Sequence, residues 1–134
     1  MEDRVTDQDM GPARMTETDL MWLFMREAPF HLRDVFIERR TILRGARIGV
    51  SGARVSSGIP GQCDLFALAP GGVHIEIECK SARGSEREAQ TRWRELCQRR
   101  GIPHMVFRAL KNEAPEATVM RWIEELRAKL PSAP

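Results

Sequence analysis

The sequence predicts a single α/β domain in which a mixed β-sheet is flanked by helices, in the order α-β-β-β-α-β-α. Apolar residues recur at helical spacing in three separate segments, and short runs rich in β-branched and aromatic residues lie between those segments. Strands that alternate with helices along one chain are typical of α/β architecture. With 134 residues the chain has room for one such domain. We assign residues 1–15 to a flexible N-terminal tail and 16–134 to the domain.

The N-terminal half is predicted to hold one helix and one strand before a long loop. The helix covers 16–28, with Thr16 and Asp19 at its start and Pro29 as its stop. Residues 34–44 alternate with period two and predict a strand, which an extension past Gly45 would carry to residue 50. Residues 51–61 are rich in Gly, Ser and Pro and predict a loop.

The C-terminal half is predicted to begin with a hairpin and to end with a helix. Strands over 63–69 and 73–80 are joined by a Pro-Gly-Gly turn. Ser85 and Glu88 have the spacing of a capping box, which predicts a helix over 85–100 with Gly101 as its stop. A buried strand over 103–109 and an amphipathic helix over 115–130 complete the domain.

The composition favours an intracellular protein without a membrane partner. No apolar run approaches the roughly 18 to 20 residues that a membrane span needs, and the acidic N-terminus lacks the basic start of a signal peptide. The three cysteines form no CxxC pair, which favours buried thiols in a reducing compartment, and we expect a cytoplasmic location. A net charge of +2 is too small to indicate nucleic acid, although 18 of the 21 basic residues are arginine. A GC-rich genome produces the same bias toward arginine.

The hairpin register follows from its turn and gathers two acids on one face. A three-residue turn sets Ala69 opposite Val73, and each further pair follows from that one. Asp64 then lies opposite Glu78, where like charges repel unless a cation lies between them. Two carboxylates beside Lys80 suit Mg²⁺ or Mn²⁺, which take hard oxygen ligands.

Two features of this hairpin have other readings. Its polar face is also compatible with a hairpin whose acids and lysine are merely solvated. On the apolar face the register sets Cys63 opposite Cys79, which predicts either core packing or a cross-strand disulfide.

These residues resemble the motifs of the PD-(D/E)XK nuclease superfamily, and most closely its VRR-NUC and Holliday junction resolvase-like branch, found in phage and bacterial proteins. The matching segments are 58–64, which ends in Asp64, the E-x-K of Glu78 and Lys80, and the Q-x-x-W of Gln90 and Trp93. The match covers roughly residues 16–110 and implies a restriction-endonuclease-like core. It departs from the usual "PD" because proline lies at position 60 and not directly before Asp64.

The resemblance implies a role for each matching residue. Asp64 and Glu78 are the expected metal ligands, together with the backbone carbonyl of Cys79. Lys80 is expected to position or activate the attacking water and to stabilise charge on the phosphate, and Gln90 to support the site. An acid of the first helix often joins the metal ligands in relatives, and Glu17 matches that position with Glu27 as a rival. Arginines that flank the motif are the expected DNA contacts, namely Arg39, Arg40, Arg54 and Arg83.

The function implied is a Mg²⁺- or Mn²⁺-dependent DNA endonuclease that acts on branched, nicked or single-stranded DNA. Direction by DNA structure is expected because a chain of this length has no separate recognition module. A C₂ homodimer would suit an enzyme that cuts two strands. The alternatives are a DNA-binding module of the same fold that does not cleave and, more remotely, an assembly protein.

Overall fold

The computed structural model of the chain describes residues 15–40, 46–48, 52–55 and 58–131, with backbone only for 46–48 and 53–55. Those residues form three helices and six strands. In chain order these are α1 (Glu17–His31), β1 (Phe36–Arg39), β2 (Ala46–Ile48), β3 (Ala53–Val55), β4 (Leu65–Ala69), β5 (Val73–Lys80), α2 (Glu88–Arg100), β6 (His104–Arg108) and α3 (Pro115–Lys129). None of the described helices has the length and apolar character to span a membrane. Most of the predicted tail, residues 1–14, lies outside the described residues.

Four strands form a mixed sheet in the order β1-β4-β5-β6, which confirms the predicted α/β class. β4 runs antiparallel to β1 and to β5, whereas β5 and β6 are parallel. Helix α2 connects these two parallel strands, because a parallel pair needs a crossover connection. Along the chain, the helices and the strands of this sheet follow the predicted order α-β-β-β-α-β-α.

Helix α1 begins where the sequence predicts and ends later. Thr16 caps it, since its hydroxyl accepts a hydrogen bond from the Asp19 N–H and the Asp19 carboxylate accepts one from the Thr16 N–H. Pro29 lies inside the helix, so its prediction as the stop was wrong. A proline removes one N–H from the helix, but the Leu32 N–H still bonds to the Ala28 carbonyl and closes the last turn.

The region before the hairpin contains more strand than the sequence predicts. β1 covers only four residues of the predicted 34–44 strand, and positions 41–45 of that prediction lie outside the described residues. The residues from 46 do not extend β1. They form β2, which pairs with β3 in a separate two-stranded ladder. Only β3 lies inside the predicted 51–61 loop. Short strands flanked by Gly and Ser resemble loops in composition, which is why β3 was missed.

The β4–β5 hairpin has the predicted register, with Leu65 opposite Ile77 and Ala69 opposite Val73. β4 nevertheless begins at Leu65, two residues later than predicted, because the chain bends at Asp64. The bend breaks the alternation. Cys63 therefore packs beside Trp93 and Cys97, not opposite Cys79. All three thiols are free and buried, so the alternative of a disulfide was also wrong.

The later elements agree with the sequence apart from their ends. α2 begins at Glu88, not Ser85, and Gly101 ends it in the left-handed conformation at φ 70°. β6 was predicted to be buried, but Val106 is 39% exposed because β6 lies at the edge of the sheet.

The main core lies between one face of the sheet and helices α1 and α3. It contains Phe24, Phe107 and Trp122, whose rings contact one another with centroids 5.2 to 6.2 Å apart. Helix α2 covers the opposite face, where the smaller cluster of Cys63, Trp93 and Cys97 is buried. The polar side chains of β5 lie on this second face, so the sheet separates them from the main core.

Candidate functional site

The candidate site lies at the carboxyl end of β5, on the sheet face that α2 covers. Glu78 and Lys80 alternate with the core residues Ile77 and Cys79, so strand geometry brings both polar side chains to one face. Both are almost fully buried, Glu78 at 6% and Lys80 at 5% exposure. Charged side chains are rarely buried so completely unless they are paired. The alternative of a merely solvated polar face does not hold for these two residues.

Gln90 links the two charged residues to the start of α2. Its Nε2 donates to Glu78 Oε1 at 2.7 Å, and its Oε1 accepts from Lys80 Nζ at 2.7 Å. The same Oε1 accepts from the backbone N–H of Arg87 at 2.9 Å, which caps α2. Because this bond supplies the cap, α2 starts after Arg87, and the predicted box of Ser85 and Glu88 is not formed. Gln90 is therefore fixed by the helix end and orients both side chains of the site.

Burial and the neighbouring acids outweigh the charge of Lys80 in the electrostatics of Glu78. Burial raises the pKa of Glu78 to about 7, although the ammonium group of Lys80, 3.8 Å away, lowers it. The negative charges of Asp64 and, more weakly, Glu17 raise it further. The acids predicted from the sequence are thus close enough to Glu78 for their charges to act on it.

Asp64 lies at the bend before β4, and its side chain is exposed. Its backbone carbonyl accepts a hydrogen bond of 2.6 Å from the Arg40 N–H, which continues the β1–β4 ladder by one pair. Its carboxylate charge raises the pKa of both Glu78 and Cys79. Cys79 itself has its side chain in the main core, so a metal would meet only its backbone carbonyl.

Glu17, and not its rival Glu27, lies at the candidate site. Glu17 Oε1 accepts a hydrogen bond of 3.0 Å from the Ser81 N–H, immediately after β5. Glu27 instead pairs with Arg26, its neighbour on α1. The start of α1 therefore brings a third acid to the carboxyl end of β5.

The loop after β5 packs tightly around these groups, and two of its determinants were not predicted. Gly84 has no space for a side chain, since a Cβ there would lie 2.6 Å from Glu17 Oε1. Arg108 donates from Nη1 to the carbonyls of Ser81 and Gly84 and so holds the loop against β6. The sequence shows a short loop of small and polar residues from Ser81 to Gly84, but nothing in it indicates that Arg108 contacts this loop.

Gly61 was also missed, and it positions α2. A Cβ on Gly61 would lie 2.1 Å from the Ala89 carbonyl oxygen and 2.7 Å from the Gln90 N. The loop before Asp64 therefore packs directly on the helix start that carries Gln90. Gly61 also has φ of 83°, a conformation that favours glycine.

Of the four arginines predicted to contact DNA, the three whose side chains are described have different surroundings. Arg39 lies on the core side of β1, where its guanidinium stacks over the Trp22 ring at 5.1 Å. The guanidinium of Arg40 donates hydrogen bonds to Glu76 and to the Cys63 carbonyl. Arg83 is exposed in the loop after β5, adjacent to the site. Arg54 lies in β3, and its side chain is outside the described residues.

A second polar cluster lies beside the site and was not predicted. Glu76 is 1% exposed and accepts two hydrogen bonds from Arg40, at 2.9 and 3.1 Å. Its Oε2 also lies 2.7 Å from His74 Nε2. The His74 ring stacks on Phe66, with centroids 5.3 Å apart. Residues 40 and 76 are far apart in sequence, and no local pattern indicates their pairing.

The donors at the site fit a divalent cation that is held by few protein ligands. Among the residues that the structure describes, no group of three or more His, Cys, Asp and Glu side chains could hold a metal ion. Mg²⁺ commonly binds through one or two carboxylates and completes its coordination with water and substrate phosphate. Glu78 and Asp64, which interact electrostatically, would be those two carboxylates.

Comparison of the chain with protein-family models, with curated proteins and with solved structures finds no match. The resemblance to PD-(D/E)XK nucleases therefore rests on the residues and their arrangement alone.

Proposed function

We propose that the protein is a metal-dependent endonuclease that hydrolyses phosphodiester bonds in DNA. The observation that carries the proposal is the buried cluster of Glu78, Lys80 and Gln90, in which Gln90 bonds to both charged groups. Burying a carboxylate and an ammonium group costs free energy, and Gln90 recovers part of that cost through its two hydrogen bonds. A buried carboxylate with a raised pKa, near two further acids at the end of a strand, favours a reactive site over a structural ion pair.

Each side chain of the site has a distinct role in this proposal. Asp64 and Glu78 would hold Mg²⁺ or Mn²⁺, with the Cys79 carbonyl as a further ligand. The bound metal would polarise the scissile phosphate and lower the pKa of a water molecule. Lys80 would donate to the phosphate oxygen on which negative charge develops. Gln90 keeps the ammonium group of Lys80 directed toward Glu78.

Glu17 adds a third acid to this arrangement. Glu17 is tied to the Ser81 N–H, so its carboxylate is fixed at the rim of the site. We assign it to the outer ligands, where it would bind a metal-bound water. The substrate would be DNA with a branch, a nick or an unpaired segment.

The test is cleavage of a panel of branched, nicked, single-stranded and duplex DNAs with Mg²⁺ or Mn²⁺. Asp64→Ala and Lys80→Ala should each lower the rate by about 100-fold or more, the loss typical of one stabilising group in an active site. Lys111→Ala is the matched control, since Lys111 is exposed and lies after β6. Circular dichroism should confirm that each variant is folded.

The outcomes separate the proposal from its alternatives. Cleavage that survives both site substitutions would contradict the assignment of the site. Salt-dependent DNA binding without cleavage in either metal would identify a binding module that does not cut. No binding at low salt would remove DNA as the partner and favour an assembly role.

A further inference from the structure

A pocket of about 530 Å³ opens on the same sheet face as the candidate site. Trp93, Ile102 and Pro103 form an apolar wall, and Arg40, His74 and Glu76 supply the polar groups. The volume lies within the ~300 to 1,000 Å³ typical of small-ligand pockets. No part of the proposed nuclease mechanism uses this pocket.

The pocket lies along the same strand and helix as the candidate site, although none of the site residues lines it. Glu76 precedes Glu78 by two residues on the same face of β5, a separation of about 7 Å. Trp93 follows Gln90 by three residues on α2, a rise of about 4.5 Å. A group bound beside Glu76 would therefore lie about 7 Å along β5 from a phosphate held at Glu78 and Lys80.

The charges in the pocket favour a neutral ligand over a second phosphate. The carboxylate of Glu76 binds Arg40 through two hydrogen bonds and so compensates its positive charge. Three of the five N–H groups of Arg40 are used, two by Glu76 and one by the Cys63 carbonyl. The other two have no partner within the described part of the chain. The Arg40–Glu76 pair thus gives the pocket polar groups without a net positive charge.

The aromatic wall adds a surface for a flat ring. Trp93 is 9% exposed, and its indole N–H is buried without a hydrogen-bond partner in the described structure. A buried donor of this kind carries an uncompensated desolvation cost. The part of the Trp93 ring that lines the pocket, beside Ile102 and Pro103, suits a planar ring better than a flexible aliphatic chain.

We propose that this pocket binds one unstacked nucleobase of the strand whose phosphate lies at Glu78 and Lys80. The proposal rests on the proposed nuclease function and makes it more specific. A base enters a side pocket only after it leaves the helical stack, and that step is least costly where the base is already unpaired. The pocket thereby selects single-stranded, flapped or branched DNA over continuous duplex.

The experiment uses the full chain and single-stranded oligonucleotides with 2-aminopurine at successive positions around the cleaved bond. Ca²⁺ replaces Mg²⁺ to permit binding without cleavage. We expect a fluorescence change confined to one position, and loss of that change in Ile102→Trp, which fills the pocket. Leu110→Trp is the control, because Leu110 is exposed and does not line the pocket.

A second arm leaves the protein unchanged and removes the base from the DNA. An abasic site at the responsive position should weaken binding by about 5- to 100-fold, the range for loss of one stacked base. Abasic sites elsewhere in the strand should have smaller effects. This arm remains valid if Ile102→Trp fails to fold.

The outcomes distinguish the pocket from the nuclease activity. Metal-dependent cleavage that is equally sensitive to abasic sites at every position would overturn the base pocket alone. Absence of both binding and cleavage would overturn the pocket and the proposed function together. If binding depends on a 5′-terminal phosphate and on no base, the pocket binds an anion, and the proposal of a base pocket is overturned.

Discussion

Replacement of Glu78 by glutamine should change how the stability of the protein depends on pH. The folded protein holds the Glu78 proton more tightly than the unfolded chain does, because burial raises the pKa from 4.5 to about 7. The stabilising free energy is therefore greatest below pH 4.5 and is lost as the pH rises through about 7. Glutamine cannot titrate, and its carbonyl oxygen can still accept the hydrogen bond from Gln90.

The magnitude follows from the two pKa values. Between pH 5 and pH 8, an acid with these values loses about 2 to 3 kcal/mol of folding free energy. Relative to the wild type, Glu78→Gln should therefore gain about that amount over the same interval. Any constant cost of leaving Lys80 without its counter-charge is the same at both pH values and cancels in the comparison.

The assay is urea unfolding followed by circular dichroism at pH 5 and pH 8, with EDTA present. Glu88→Gln is the matched control, since Glu88 has an 85% exposed side chain in an ion pair with Arg92. Its effect should stay within about 1 kcal/mol at both pH values. Parallel pH profiles for the wild type and Glu78→Gln would refute the argument that burial controls this carboxylate.

Three further predictions concern the supporting structure. Gly61→Ala should cost about 1 to 3 kcal/mol more in urea unfolding than Gly71→Ala. Both have φ of 83°, but only at Gly61 would a Cβ meet backbone, so equal costs would contradict this packing. Glu113→Gln should cost about 1 to 3 kcal/mol at pH 7. The hydrogen bond from Arg121 lowers the pKa of Glu113 to about 2, so this stabilisation is present above pH 4.5 and is lost as the pH falls through 2. A cost unchanged near pH 2 would contradict this. Burial raises the pKa of all three thiols, which should react slowly with Ellman's reagent until urea unfolds the protein, and rapid reaction of the native protein would contradict this.

Local signals were sufficient to predict the hairpin that carries the site. The Pro-Gly-Gly turn fixes one pair of residues, and burial of one face fixes the remaining register. The prediction failed at Cys63, because alternation holds only while the chain stays extended and the chain bends at Asp64. Asp64 and Glu78 consequently do not form the ladder pair that was expected, although the charge of one still acts on the other.

Contacts between distant segments could not be read from local patterns. The burial of the Glu76 carboxylate depends on Arg40, which follows β1 and is remote from Glu76 in sequence. The start of α2 was misplaced because Gln90 caps the helix with the same oxygen that binds Lys80. Glu76 is bonded to Arg40 and Gln90 to Lys80, and neither partner can be identified from the sequence around the residue.

The most direct test of the central claim is a crystal of the protein soaked in Mn²⁺, with anomalous diffraction used to locate the ion. The account predicts one Mn²⁺ bound to the carboxylates of Asp64 and Glu78 beside Lys80, and its loss in Asp64→Ala. Mn²⁺ that binds elsewhere, or a site that stays empty at saturating Mn²⁺, would contradict the claim that these two acids form a metal centre.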